Sequence, residues 1–181
     1  MKSRKFSEGM LNDDLILQSL CLKPGQTVLD AGCGNGYMAK KISNLVGKTG
    51  TVFAIDPEKE SIRVLKKQVR ETNIEALIGD ITQTTEVRGC SIDLVYLALV
   101  FHIFSDDQVL RFEEEVRRVL KSDGKLAIVN IDKTDTPFGP PLEKRSSPEE
   151  LIRKLSLTPF DCIKVGDHFY MQMFTKLLKI I

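Results

Sequence analysis

Apolar positions in this chain follow two alternating rhythms. Short, nearly continuous apolar runs of strand length are separated by longer stretches in which apolar residues recur every three or four positions, the period of a helix. Residues 11–22 (LNDDLILQSLCL) carry an apolar helical face that Lys23-Pro24-Gly25 breaks. The pattern then predicts a strand at Gln26–Asp30, a helix at Asn35–Val46 ending at Gly47, and a buried strand at Thr51–Ile55 closed by Asp56-Pro57. A charged amphipathic helix over 58–72 leads to a third strand at Ile74–Ile78 and a fourth at Ile92–Leu97, whose unbroken apolar run suits the centre of a parallel sheet. Ser105 with Gln108 forms a capping box that opens a helix over 106–120, residues 121–124 stop it, and Lys125–Asn130 is the fifth strand. A polar, proline-rich connection covers 132–146. Ser147-Pro148-Glu149-Glu150 is a second capping box with proline at the first helical position, opening a helix to about 156. Two strand-like runs, 160–166 and 168–176, follow with no helix between them, so they are expected to pair as an antiparallel hairpin around Gly166-Asp167.

Strand–helix units closed by a hairpin imply an α/β protein: a doubly wound, Rossmann-like seven-stranded sheet, mostly parallel, with an antiparallel C-terminal hairpin. At 181 residues the chain suits one domain, with a helical segment over 1–24 preceding a core over 25–181. Ligands of such sheets bind beyond the carboxyl ends of the strands, at the switch point beside the first strand. Asp30, Asp56, Asp80 and the segment after Leu97 all fall at strand carboxyl ends.

Composition narrows the partners. A formal net charge of +1, with no basic block longer than the cluster at Lys2–Lys5, argues against nucleic acid. No apolar run approaches a membrane span, and the charged N-terminus lacks the apolar core of a signal peptide, so a cytoplasmic location is expected. Cysteines 21, 33, 90 and 162 form no Cys-x-x-Cys pair; they read as reduced thiols, and no metal site is expected.

The densest chemical signal is residues 28–36, Val-Leu-Asp-Ala-Gly-Cys-Gly-Asn-Gly. Glycines alternating at 32, 34 and 36 let the backbone turn sharply and approach a ligand closely. A helix follows at once, so free N–H groups at its N-terminus are expected to meet that ligand. The carboxylate of Asp30 would repel a phosphate and attract an ammonium, which points to an amino-acid-bearing nucleotide rather than a dinucleotide.

These residues resemble a class I S-adenosylmethionine-dependent methyltransferase of the ubiquinone/menaquinone-biosynthesis type. VLDAGCGNG is similar to the first family motif, Asp56 after VFAI to the second, Gly79-Asp80-Ile81 to the third and DLVYLALVFH to the fourth; RRVLKSDGKLAIV resembles the segment before the fifth strand. The likeness runs over roughly 25–175. It implies that S-adenosylmethionine, leaving as S-adenosylhomocysteine, is held by Asp30, Gly32, Cys33 and Gly34 near its methionine end. Asp56, with Pro57 beside it, would accept from both ribose hydroxyls. Asp80 would accept from the adenine amino group while the Ile81 N–H donates to the ring, and Leu97 and Ala98 would border the methionine moiety. Taken alone, Asp56 before Pro57 also reads as the N-cap of the next helix.

Methyl transfer needs alignment, and a base only where the acceptor holds a proton. His102 is the candidate base; it also reads as a histidine packed among Phe101 and Phe104, which themselves read as an acceptor wall or as core. His168, in the terminal hairpin, is expected to lie remote from the strand tips. The fourth strand is followed by Leu99-Val100, not by the Pro-Pro-aromatic run of enzymes that methylate planar amides or base nitrogens, and the clustered cysteines of arsenite methylation are missing. The N-terminal helix, 98–105 and 132–146 are left to shape an acceptor pocket, the last long enough for a lid. A small, partly apolar acceptor is expected, with no nucleic-acid or membrane partner and room for a homodimer. Two other readings stand beside this one: a methyltransferase-like cofactor-binding module with a regulatory or assembly role, and an NAD-dependent oxidoreductase. Against the second, Tyr37 takes the third glycine position of Gly-x-Gly-x-x-Gly.

Overall fold

The apolar runs pair edge to edge into one sheet. In the computed structural model, which describes residues 9–176, seven strands are present: β1 (Thr27–Ala31), β2 (Thr51–Asp56), β3 (Ile74–Ile78), β4 (Ile92–Ala98), β5 (Leu120–Ile131), β6 (Thr158–Gly166) and β7 (Phe169–Thr175). Their order is β3-β2-β1-β4-β5-β7-β6. The first five run parallel, and β7 runs antiparallel to both β5 and β6. The mostly parallel, doubly wound sheet with its antiparallel hairpin is therefore present. Chain order reverses between β1 and β4, which opens a crevice at their carboxyl ends.

Side chains alternate between the two faces of each strand. Val28 packs toward α1 (Asp13–Leu20), α2 (Tyr37–Val46) and α3 (Lys59–Gln68), where Ile16, Ile42 and Leu65 are fully buried. Leu29 and Ala31 pack toward α4 (Asp106–Val119) and α5 (Pro148–Lys154), against Phe112, Val116 and Leu151. Both predicted capping boxes form, at Ser105 with Gln108 and at Ser147 with Glu150.

Element ends differ from expectation where tertiary bonds intervene. The helix expected over 58–72 stops at Gln68, because the Thr72 hydroxyl bonds the Val69 carbonyl and the Asn73 amide bonds the carbonyls of Gly47 and Gly50. Residues 121–124 do not separate α4 from β5. Leu120 already pairs with Ile92, and the register then slips so that Leu94 pairs with Lys125. Lys121 bonds the Asp93 carboxylate at 2.8 Å across this irregularity.

The terminal hairpin is nearer the strand tips than its sequence suggests. Since β7 starts where β5 ends, Phe169 lies opposite Ile131, and the Asp132 N–H donates to the His168 carbonyl at 2.8 Å. His168 thus sits beside the carboxyl end of β5, in edge contact with Phe138, and the expectation that it is remote is wrong. Helix α1 is tied to the same hairpin, since Asn12, which caps it, also donates its N–H to the Val165 carbonyl at 2.7 Å.

Candidate active site

A cavity of about 500 Å³ opens where β1, β2, β4 and β5 end, a size ordinary for a small-ligand site. Of the residues singled out in the sequence, Asp30, Gly32, Cys33, Asp56, Ala98 and His102 line it. Gly34, Pro57, Asp80, Ile81 and Leu97 do not. Gly34 adjoins it through Asp56, whose Oδ2 accepts the Gly34 N–H at 2.8 Å. Leu97 points to the opposite face, into the α4 side of the core. Asp80 turns its Oδ1 onto the N–H and hydroxyl of Thr82, both at 2.8 Å.

The glycine loop presents no row of free donors. The N–H groups of Gly32 and Cys33 both donate to the Ile55 carbonyl (2.8 and 3.0 Å), Gly34 donates to Asp56, Gly36 to the Cys33 carbonyl, and Tyr37 to the Asn35 side chain. These five N–H groups are therefore not free for a ligand, and of the N–H groups expected to be free at the start of α2, that of Tyr37 is already spent. The loop folds back on the end of β2 and satisfies itself there, as buried backbone must. Asp30 and Asp56 add acceptor chemistry on the cavity side. Asp56 takes one N–H on each oxygen, from Gly34 and from Glu58 at 2.9 Å, and each carboxylate oxygen retains a second acceptor site. Glu58, not Asp56, caps α3.

Glycine is required in this loop for packing as well. A Cβ on Gly32 would lie 2.6 Å from Val100 Cγ2, and one on Gly36 would lie 2.5 Å from Leu65 Cδ1; both glycines have positive φ.

Asp30 is buried, at 3% exposure, and its register neighbour on β4 is Tyr96. The Tyr96 ring lines the cavity too, a site residue hidden in the sequence because one aromatic inside an apolar strand reads as core. Burial, with the Asp30 and Asp13 carboxylates adding to it, pushes the Tyr96 phenol well above its ordinary range. Asp13, on α1, closes one side; its carboxylate accepts from the Tyr37 hydroxyl and from Lys41 Nζ at 2.8 Å, and the lysine's interactions with Asp13 and then Tyr37 hold it above its ordinary range.

His102 sits in a single 3₁₀ turn (Phe101–Ile103) beyond β4 and faces the cavity. Burial lowers its pKa, and the Lys144 cation lowers it further, so the imidazole is neutral near pH 7. Phe101 is core: it packs edge-on to Phe104 and Phe112 with ring centroids 5.8 and 6.1 Å apart.

The 132–146 connection is pinned. The guanidinium of Arg145, 5% exposed, donates to the carbonyls of Pro140, Thr134 and Phe138 at 2.7, 2.6 and 2.8 Å. Those three bonds hold Gly139 and Pro140 against the cavity. The apolar remainder of the wall includes Leu11, Met38, Ile131 and Phe169. Among the described residues no helix is long and apolar enough to cross a membrane, and no cluster of three or more metal-binding side chains occurs.

The lining fits S-adenosylmethionine: carboxylates to accept from an ammonium and a ribose diol, no lysine or arginine among the described residues to hold a phosphate, and a concave apolar remainder. Comparison with known proteins agrees. A family model described as a methyltransferase domain matches residues 28–124. The fibrillarin-like rRNA/tRNA 2'-O-methyltransferase of Thermococcus sibiricus is 28% identical over 87% of this chain and 71% of its own length. The ubiquinone/menaquinone biosynthesis C-methyltransferase of Hydrogenovibrio crunogenus is 32% identical over 65% of this chain and 46% of its own. The chain spans about half the length of several curated relatives it matches. A crystal structure of a SAM-dependent methyltransferase from Aquifex aeolicus superposes with a TM-score of 0.86 at 27% identity, covering 96% of this chain and 94% of that one. The chain belongs to the methyltransferase domain family, within the class I S-adenosylmethionine-dependent methyltransferases.

Proposed function

We propose that this chain moves a methyl group from S-adenosylmethionine to a small-molecule acceptor. The observation that carries the reading is one cavity in which Asp30 and Asp56, at the tips of adjacent strands, share a wall with His102 and an apolar remainder. Asp56 has acceptor capacity left for a ribose diol, and Asp30 supplies negative charge for the methionine ammonium. S-adenosylmethionine supplies, when bound, an electrophilic methyl carbon on a sulfonium sulfur. The chain's own contribution is alignment and the exclusion of water by Leu11, Met38, Pro140 and Phe169. His102, neutral, offers a ring nitrogen lone pair to take the proton of a hydroxyl, thiol or amine acceptor.

A macromolecular acceptor is the competing reading, because one relative is named for rRNA and tRNA and two for ribosomal protein L11. The cavity wall weighs against a polyanion: Asp13, Asp30 and Asp56 line it, and no lysine or arginine does among the described residues.

A thermal-shift comparison tests the cofactor half. A ligand that binds only the native state raises its stability. S-adenosylhomocysteine is expected to raise Tm and NAD to leave it unchanged; the reverse would refute the reading and favour an oxidoreductase. Asp56→Asn is expected to weaken S-adenosylhomocysteine roughly 10- to 100-fold, on the order of the 1.5–3 kcal/mol of a hydrogen bond to a charged group. Label carried from S-[methyl-³H]adenosylmethionine into low-molecular-weight metabolites tests the transfer. Binding with no transfer to any pool would favour the regulatory module.

A further inference from the structure

Lys41 stands on α2 one turn beyond Tyr37, at the rim of the cavity. Its Nζ donates to Asp13 Oδ2 at 2.8 Å and lies 4.8 Å from the centroid of the Tyr37 ring, and both Asp13 and Tyr37 line the cavity. The Tyr37 hydroxyl donates to the same Asp13 oxygen, so side chains from α1 and α2 close into one cluster there. An ammonium carries three donors, and this one spends a single donor on Asp13. The Lys41 side chain is 33% exposed, so protein does not enclose the donors that remain.

The charge balance of the cavity singles this cation out. Asp13, Asp30 and Asp56 line the wall, and no lysine or arginine does among the described residues. A ligand with an amino-acid end brings an ammonium and a carboxylate joined through one carbon. Asp30 and Asp56 suit the ammonium and the ribose, but a carboxylate set among three others is repelled unless a cation stands beside it. Arg145 is spent on three backbone carbonyls, and Lys144 acts on His102. Asn35, on the wall, turns its Oδ1 to the Tyr37 N–H and offers only a neutral amide. Asp13 and Asp30 both act on the Tyr96 phenol, which puts the Asp13–Lys41 pair on the Asp30 side of the cavity. An ammonium on Asp30 brings its carboxylate to that same side.

We propose that the Lys41 ammonium holds the cofactor's carboxylate, as a cation shared between that group and Asp13. Asp13 and the Tyr37 ring keep the lysine at the rim for this contact. The inference rests on the methyltransferase reading and deepens it: Lys41 selects a ligand whose amino-acid end is intact over one that lacks the carboxylate.

Calorimetry with three probes tests it: S-adenosylhomocysteine, its decarboxylated analogue, which keeps the amine, and 5'-methylthioadenosine, which lacks the amino-acid end. Wild type is compared with Lys41→Met and with Lys40→Met, a control because Lys40 bonds Gln68 at 2.6 Å instead. Wild type is expected to bind S-adenosylhomocysteine roughly 10- to 100-fold more tightly than the decarboxylated analogue, the value of a charge-assisted hydrogen bond. Lys41→Met should lose that factor for S-adenosylhomocysteine and stay within about twofold for the other two probes. Lys40→Met should stay within about twofold for all three. Wild type binding the decarboxylated analogue as tightly as S-adenosylhomocysteine would overturn the inference, and needs no variant to fold. An unchanged S-adenosylhomocysteine affinity in Lys41→Met, or an equal loss for all three probes, would overturn it too, the latter because Lys41 would then only support the fold. An equal loss in Lys40→Met would reduce the contact to a general effect of surface charge and overturn it as well. Failure of wild type to bind both S-adenosylhomocysteine and 5'-methylthioadenosine is a separate result that removes the methyltransferase reading itself.

Discussion

Gly32→Ala is expected to destabilise the chain by about 2–5 kcal/mol, the sum of two separable penalties. Gly32 has φ +73°, and an L-residue held in that region loses about 1–2 kcal/mol relative to glycine. The new Cβ would also lie 2.6 Å from Val100 Cγ2, with the rest of the Val100 side chain 3.6–3.7 Å away. Relief requires Val100 to move, and overpacking of this kind typically adds about 1–3 kcal/mol. Urea unfolding followed by far-UV circular dichroism reads the total; in a chain of this size each kcal/mol shifts Tm by roughly 2–4 °C. A double-mutant cycle separates the parts. Val100→Ala removes the obstructing methyl groups, so Gly32→Ala should lose about 1–3 kcal/mol less in that background, the residue being the backbone penalty alone. A destabilisation under about 0.5 kcal/mol in the single mutant would refute both the strained φ and the close approach. Additive effects in the double mutant would refute the contact with Val100 while leaving the backbone penalty intact. Because Val100 and Gly32 both line the cavity, S-adenosylhomocysteine affinity should fall in the single mutant and partly recover in the double.

Two further outcomes follow from named groups. Arg145→Met strands the carbonyls of Pro140, Thr134 and Phe138, so the 132–144 connection should become the first site of limited proteolysis and stability should fall by about 3 kcal/mol; an unchanged cleavage map would refute the pinning role. The folded-state pKa of His102 lies below its unfolded value of 6.5, so the folded state takes up this proton less readily than the unfolded one. Its contribution to stability is complete above pH 6.5 and is lost as pH falls through the folded pKa, and transfer activity should decline over the same acidic window. His102→Gln should abolish that acidic limb, and a limb that survives the substitution would exclude His102 as the base.

The strand tips explain why so much of the site was legible in advance. Asp30 and Asp56 each close an apolar run of strand period, and a carboxylate at the end of such a run in a doubly wound sheet has one place to go. Both capping boxes likewise involve residues three apart, so each could be read within a single turn. Tyr96 was not legible as a cavity residue, because one aromatic inside an apolar strand reads as core and its place between Asp30 of β1 and Ala127 of β5 comes from the sheet order. His168 was misplaced for a related reason. A hairpin's distance along the chain says nothing of where its turn falls, and pairing of Phe169 with Ile131 brought it to the cavity side.

Periodicity and local turn chemistry act over a few residues, so the sequence alone determined the seven strands, their α/β order, the capped helix starts and the acceptor-rich tips of β1 and β2. Tertiary structure decided what is built from contacts between residues far apart in the chain. Gly32 is held free of a Cβ by Val100, and Gly36 by Leu65; the loop N–H groups are spent on Ile55 and Asp56. Arg145 ties the 132–146 connection into a wall, and an unpaired phenol is left beside Asp30. Each of these depends on which atoms packing brings within about 3–4 Å, a distance that no spacing along the chain encodes.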